Sequence, residues 1–492
     1  NSPREKNPMA TGLSNINHIV VLMLENRSFD NVLGALYPNS SSFNGLVPNP
    51  TAYNINLQTG DVCWAWNQPG TDPTTMSIPN PDPGEAFQDM NYQLFGTTLQ
   101  PGQSPDIAGM GGFVADYAPV QPYPSGLPNG GEWPTLPRTQ KDGTLANPCD
   151  VMHYFTTVAS NGNPAQMPVT GQLAQAFAVS DCWFASAPTQ TWPNRYFLNC
   201  GSSAGGVDNV DYTNQGFIDI PLDSIFQALD GGGSPSLSNW KVYYDDVPLA
   251  CNIKYVLDTY GKTENVIDYN LQFEEDCKNG TLPKYALIEP KYTSFLGAPN
   301  SNHPPFDVTY GEILLADVYN KLRNSQSWQD TLLIVIYDEH GGCYDHMMPP
   351  TNAVAPGAGW TLPTPSWFGF NRFGVRVPAM LICPYVQART IFRPANYVYN
   401  QVTPYDHTSV LATINERFGT AALTNRVAAA PSLSNVLTLS TSNPNNGPQT
   451  VTPPTPPDPA KSLAIASGAP HQWDPALVAL MLRLGLNVPP KP

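Results

Sequence analysis

The sequence predicts an α/β protein, a doubly wound and mostly parallel sheet sandwiched by helices. Two observations carry that prediction. Apolar runs of strand length recur at long intervals with helix-like segments between them, and each run is continuously apolar rather than alternating. Continuous apolarity marks a strand buried on both faces, which requires helices on both sides of the sheet.

The expected strands are His18–Leu24 (HIVVLML), Phe177–Phe184 (FAVSDCWF), Tyr285–Glu289 (YALIE), Thr331–Tyr337 (TLLIVIY) and Val375–Cys383 (VRVPAMLIC). Helical patterns fall at Thr170–Ala176, Leu222–Leu229, Val266–Cys277, Val308–Leu322 and Thr408–Phe418. Asp406 or Thr408 is a suitable N-cap for the last. Between Phe43 and Asn147 the chain turns to Pro, Gly, Asn and aromatics with no clear helix, a loop-rich excursion beside the site. The catalytic domain is expected over residues 1–441. A Pro-rich linker follows at 442–459, then a tail, 460–492, with a short amphipathic helix at Pro475–Leu486. That helix has the character of a lipid-touching segment, but packing back on the body is the favoured reading.

Of the 492 residues 41% are hydrophobic, ample for a core, and 13% are charged, against about 25% in typical domains. With 53 Pro and 38 Gly this suits a scaffold carrying long ordered loops. The net charge of −16 argues against nucleic-acid binding, which rests on Lys and Arg neutralising phosphates. Any phosphate on a substrate must be met locally, by a metal or by Arg, His and backbone N–H groups.

The eight cysteines form no CxxC pair, which argues against structural zinc. Their even number and dispersion suit disulfides in an oxidising compartment. Cys251–Cys277, bracketing one loop–helix excursion, is the pair expected, with buried free thiols the alternative. Sequons at Asn39 and Asn279 lie in turn-like contexts suited to glycosylation. The start at Asn1 reads as a processed end, and no apolar run reaches the ~18 residues of a membrane span. A secreted, monomeric protein is expected.

Ligands of open α/β sheets bind at the carboxyl ends of strands, and three expected strands end in polar clusters. The first runs into Glu25-Asn26-Arg27-Ser28-Phe29-Asp30. The fourth runs into Asp338-Glu339-His340, with Tyr344-Asp345-His346 beyond. The third ends at Glu289, and its loop carries His303 and Asp307. Either of the first two could be a bare helix cap or a solvated turn. At one sheet edge, the oxygens of Glu25, Asn26, Asp338 and Glu339 instead suit a divalent cation. Beside it Thr191 occupies a tight turn, with Pro193 fit for the first turn of a helix. Helix N–H groups there favour a phosphoryl anion. Ser28, Ser186 and Thr189 are competing hydroxyls that spacing does not exclude.

The stretches INHIVVLMLENRSFDNVLG, TWPNR, IYDEHGGCYDHMMPP and PYDHTSVLATINERFG, in that order, resemble the phosphoesterase family of bacterial and fungal phospholipases C and acid phosphatases. That family lies within the alkaline-phosphatase-like superfamily. The resemblance covers most of Asn15–Gly419 and leaves the tail uncovered. It implies metal ligation by Glu25, Asn26, Asp338 and Glu339, with Zn or Ca expected. It makes Thr191 the nucleophile of a phospho-enzyme and His303 a phosphate contact or proton donor. His340 joins the catalytic candidates, while Asn194, His153 and His407 are candidates for the phosphate pocket. Glu289, His303 and His407 match positions where the superfamily often holds a second metal. A structural role for His407 stays open.

The activity implied is cleavage of phospholipids to diacylglycerol and a phosphorylated head group, or, as the alternative, hydrolysis of phosphomonoesters by an acid phosphatase. A phospholipid substrate brings transient contact with a membrane surface. Trp64, Trp66, Phe87, Tyr92, Phe113, Tyr117, Tyr123 and Trp133 would form a cage for a choline-like cation or simply pack the loops. A lectin-like binding protein on a dead hydrolase scaffold is a third reading, and the intact candidate residues argue against it.

Overall fold

Strand β1 (His18–Leu24) lies inside an eight-stranded sheet, and each of its residues after His18 is buried. Burying an Ile, Leu or Val side chain contributes roughly 1.5–3 kcal/mol, so such a run stabilises a central strand strongly. The computed structural model describes residues 11–38, 40–46, 52–56, 59–96, 109–118, 139–140, 143–160, 162–213, 222–357, 362, 368–440, 445–467 and 473–490.

After β1 the strands are β2 (Tyr53–Ile55), β3 (Val62–Trp64), β4 (Ala178–Ser180), β5 (Trp240–Tyr244) and β6 (Val266–Asp268). Then come β7 (Tyr285–Glu289), β8 (Thr331–Tyr337), β9 (Ala379–Ile382) and β10 (Thr390–Phe392). β2 and β3 form a separate antiparallel ribbon, and the main sheet runs β10-β4-β9-β8-β1-β7-β5-β6. Only β9 is antiparallel to its neighbours. The molecule is thus a mixed α/β protein with a large, mostly parallel sheet flanked by helices.

Three strands, β1, β7 and β8, have the bounds expected of them, while the runs at Phe177–Phe184 and Val375–Cys383 shorten to β4 and β9. Two expectations are corrected. The pattern at Val266–Cys277 divides: its first three residues are β6, and a helix follows at Tyr269–Asn279, where the Asp268 carboxylate accepts from Asn270 N at 2.7 Å. The excursion in which the sequence shows no clear helix holds helices at Pro73–Met76, Phe87–Phe95 and Phe113–Tyr117.

The disulfide expectation is also corrected. Cys63 bonds to Cys149, tying β3 to the far end of the excursion, whereas Cys251 and Cys277 are separate, buried free thiols. Both sit in the main apolar cluster and act there as small hydrophobes. Of the aromatic residues, Phe87, Tyr92, Phe113 and Tyr117 are buried in packing and Trp64 is exposed, while Tyr123 and Trp133 lie outside the described residues. Asn279 is exposed at the end of its helix, and Asn39 lies outside the described residues.

The segment read as a linker is pinned along the helix Thr309–Arg323. The Tyr319 hydroxyl donates to Pro448 O at 2.5 Å, and Asn320 exchanges two bonds with Val451, each 2.9 Å. The tail helix, Pro475–Arg483, packs back on the body with Ala476, Leu477, Leu480 and Met481 buried.

Candidate active site

Leu24 of β1 and Tyr337 of β8 are partners in register. Glu25 and Asp338 therefore leave the sheet side by side, at the carboxyl ends of adjacent parallel strands. Asn26 follows in the left-handed region at φ 55°, which Asn tolerates better than most residues. That turn brings its backbone N–H to Asp338 Oδ1 at 3.0 Å. Asp338 accepts two further bonds, Oδ1 from Glu339 N at 2.7 Å and Oδ2 from Arg195 Nε at 3.2 Å. Gly341 packs against the same turn at φ 58°, where a Cβ would fall 2.1 Å from Asn26 O.

Thr191 opens the helix Thr191–Cys200 and sends its hydroxyl to Asn26 Oδ1 at 3.3 Å. The opposite side of the same amide, Asn26 Nδ2, lies 3.0 Å from His303 Nε2 and donates to Glu85. Thr191, Glu25 and His303 line one small cavity together with Glu85, Trp192, Asn209, Leu249, Tyr292, Asp474 and Leu477. The competing hydroxyls are engaged elsewhere or lie off the cavity. Ser28 donates to Tyr344 O and caps the helix Phe29–Val32, and Thr189 Oγ1 accepts from Asn194. Ser186 is buried and absent from the cavity lining.

The structure places the other candidates away from this cavity. Asn194 spends its amide on the turn that presents Thr191, accepting from Ala187 N and donating to Thr189 O. His340 lies against Gln93 Oε1 at 2.7 Å, and burial pushes its pKa down to about 3. His153 packs between Trp66 and Phe155, and burial lowers its pKa likewise to about 3. Both imidazoles are neutral at ordinary pH. His407 donates from Nε2 to Asp338 O at 2.7 Å and supports that residue from beneath.

Electrostatics singles out His303. Burial alone would lower its pKa, but the carboxylates of Asp82 and Glu85, each 3.6 Å from a ring nitrogen, outweigh burial and push it up to about 10. Burial also raises Glu25, Asp338 and Glu339, and for Glu339 repulsion from Glu85 and Asp338 adds to it. Arg195, one turn below Thr191, spreads its guanidinium among Asp338, Glu25 and Glu289, at 3.2, 3.9 and 4.0 Å. It takes up Glu289, which also accepts from Ala250 N. The trio Glu289, His303 and His407 is not among the groups whose donor atoms converge within 4.8 Å among the described residues. These three residues do not bring their donor atoms to one point for the second metal expected there.

The residues do fit one divalent cation. The buried carboxylates of Glu25, Asp338 and Glu339 and the partly buried one of Glu85 crowd around the Asn26 amide, with Arg195 and His303 among the nearby basic groups. The raised pKa values of Glu25, Asp338 and Glu339 express a surplus of negative charge that a hard cation would relieve. Asp82, Glu85 and His303 have donor atoms within 4.8 Å of one another, which Glu25, Asp338 and Glu339 do not. Asp30, Asp345 and His346 form a second such group, but Arg376 bonds both carboxylates, at 3.2 and 2.9 Å.

Sequence reasoning missed Asp82, Glu85, Arg195, Asn209 and Asp474. Arg195 was within reach, since it stands four residues after Thr191 on one helix face. The others come from distant loops with no spacing signal.

A hydroxyl at a helix N-terminus, buried carboxylates at strand ends and an imidazole are brought together here, and the molecule is a phosphoric ester hydrolase. The chain belongs to the phosphoesterase family, whose model matches residues 16–421. It is 31% identical over 452 residues to Non-specific phospholipase C6 of Arabidopsis thaliana, covering 89% of this chain and 75% of that one. It is 33% identical over 412 residues to Non-specific phospholipase C3 of the same plant, covering 82% and 70%. Phospholipase C B of Mycobacterium tuberculosis is 28% identical over 443 residues, covering 84% and 75%.

Proposed function

We propose that this chain is a metal-dependent phospholipase C that works through a phospho-threonine intermediate. The observation that carries the reading is the Thr191 hydroxyl held on Asn26 in the cavity that also contains His303. The names of the plant and mycobacterial relatives support phospholipids as the substrate class.

In this reading Thr191 attacks phosphorus in line, and the helix N-terminus behind it steadies the phosphoryl oxygens. His303, kept protonated by Asp82 and Glu85, gives its proton to the departing diacylglycerol oxygen. Arg195 fixes the Asp338 carboxylate, which accepts from the Asn26 backbone N–H and so holds Asn26, and through it the nucleophile, in place. A water then releases the phosphorylated head group from Thr191. A divalent cation held among Glu25, Asn26, Asp338 and Glu339 would supply charge for the phosphoryl oxygens and acidity for the Thr191 hydroxyl.

The Cys63–Cys149 disulfide supports secretion into an oxidising compartment. The test compares turnover of p-nitrophenyl phosphorylcholine and p-nitrophenyl phosphate, with and without chelator, by wild type and Thr191→Ala. The reading expects diester preference, loss with chelator, and a fall of about 10³-fold or more in the variant. Full activity in Thr191→Ala would remove the nucleophile, and monoester preference would favour the acid phosphatase.

A further inference from the structure

Two residues lining the Thr191 cavity come from the tail, beyond the family-matched span. They are Asp474, the N-cap of the helix Pro475–Arg483, and Leu477 in its first turn. Two contacts, Asp474 with Asn209 and Trp473 with Phe295, hold this helix over the site. Asp474 Oδ1 accepts from Ala476 N at 2.6 Å, and its Oδ2 faces Asn209 Nδ2 at 3.5 Å. Asn209 Oδ1 in turn accepts from Trp192 N at 2.9 Å, linking the tail to the residue after the nucleophile. Trp473 packs at a tilt on Phe295, in the loop that leads to His303, with ring centroids 5.0 Å apart.

Size decides what this wall does. The cavity it closes holds ≈ 30 Å³, room for about two waters, where small-molecule sites run to roughly 300–1,000 Å³. The other walls are Glu25 at the end of β1, Thr191 and Trp192 at the start of their helix, and Glu85, Asn209, Leu249, Tyr292 and His303 from the connecting segments. The tail helix instead attaches by one face and leaves Leu482 64% exposed on the other.

We propose that Leu477 is a specificity-determining residue, latched by Asp474, that sets the size of ester reaching Thr191. In the position seen it favours a compact ester, and a diacylglycerol ester enters only when the helix lifts. This rests on Thr191 being the nucleophile. The selection is steric: removing the isobutyl group opens the cavity toward the exposed side, and a larger ring there fills it.

The test measures kcat/KM for p-nitrophenyl phosphate and for phosphatidylcholine in mixed micelles, using the full chain. Wild type, Leu477→Ala, Leu477→Trp and Thr191→Ala are compared, and melting curves confirm folding. Leu477→Val stands in for the alanine variant if that one unfolds. Leu477→Ala is expected to raise the lipid-to-small-ester ratio by about fivefold or more, and Leu477→Trp to lower it similarly. Asp474→Ala, which frees the latch, is expected to act in the direction of Leu477→Ala. Ratios within about twofold of wild type in all three variants, with Thr191→Ala inactive, would overturn this proposal and leave the nucleophile standing. Activity persisting in Thr191→Ala would overturn the nucleophile first, and this proposal with it.

Discussion

Asn26 and Thr191 meet through one hydrogen bond, with the threonine hydroxyl donating to the asparagine Oδ1 at 3.3 Å. Asn26 takes part from a left-handed backbone that ties its N–H to Asp338. One residue therefore joins three elements: the end of β1, the end of β8 and the helix that Thr191 opens.

That double role separates stability from chemistry. Asn26→Ala is expected to lose about 1 kcal/mol in the left-handed backbone and about 10²-fold or more in kcat. Asn26→Gly relieves the strain, so its melting temperature should recover while its kcat stays low. Recovery of both by glycine would reduce Asn26 to a backbone role.

Gly341 makes a sharper test of the same turn. A Cβ there would fall 2.1 Å from Asn26 O, and the φ of 58° is itself unfavourable to a side chain. Gly341→Ala is expected to cost about 2–3 kcal/mol and to lower turnover further by displacing Asn26. Denaturant unfolding and initial rates measure the two effects.

The pH dependence of stability should show the buried network beyond the site. His346 Nδ1 lies 2.6 Å from Asp30 Oδ2, with Arg376, Asp345 and Asn44 around the pair. Burial opposes charging both groups, but their attraction overrides it, raising His346 and lowering Asp30. A raised imidazole contributes stability that is full below its ordinary value, about 6.5, and is lost as pH climbs through the raised one. A lowered carboxylate contributes stability that is full above its ordinary value and is lost as pH falls through the lowered one. Melting temperature should therefore decline on the alkaline side, and His346→Gln should flatten that decline. An unchanged profile would show that the pair does not govern it.

How much was legible in the sequence follows from burial. β1, β7 and β8 are buried along nearly their whole length, so their apolar runs mark their own ends. β5 was missed because Lys241 breaks its run, and that lysine is buried only through its 2.6 Å pairing with Asp276, a partner the local pattern does not reveal. β6 and β10 have three residues each, too few for a periodicity. Within the site, Glu25, Asn26, Thr191 and Asp338 were readable because strand ends and a helix start place them. Glu85 and Asp474 were not, because long loops and a distant tail bring them in. Asn194 and His340 stood in the right motifs but serve the turn and Gln93.

The central claim is that the ester is cleaved in two displacements through Thr191. The stereochemical course at phosphorus tests it most directly, using a phosphodiester made chiral by isotopic substitution and hydrolysed in oxygen-labelled water. Two in-line displacements, onto Thr191 and then onto water, predict overall retention of configuration. Inversion would show direct attack by water and contradict the account.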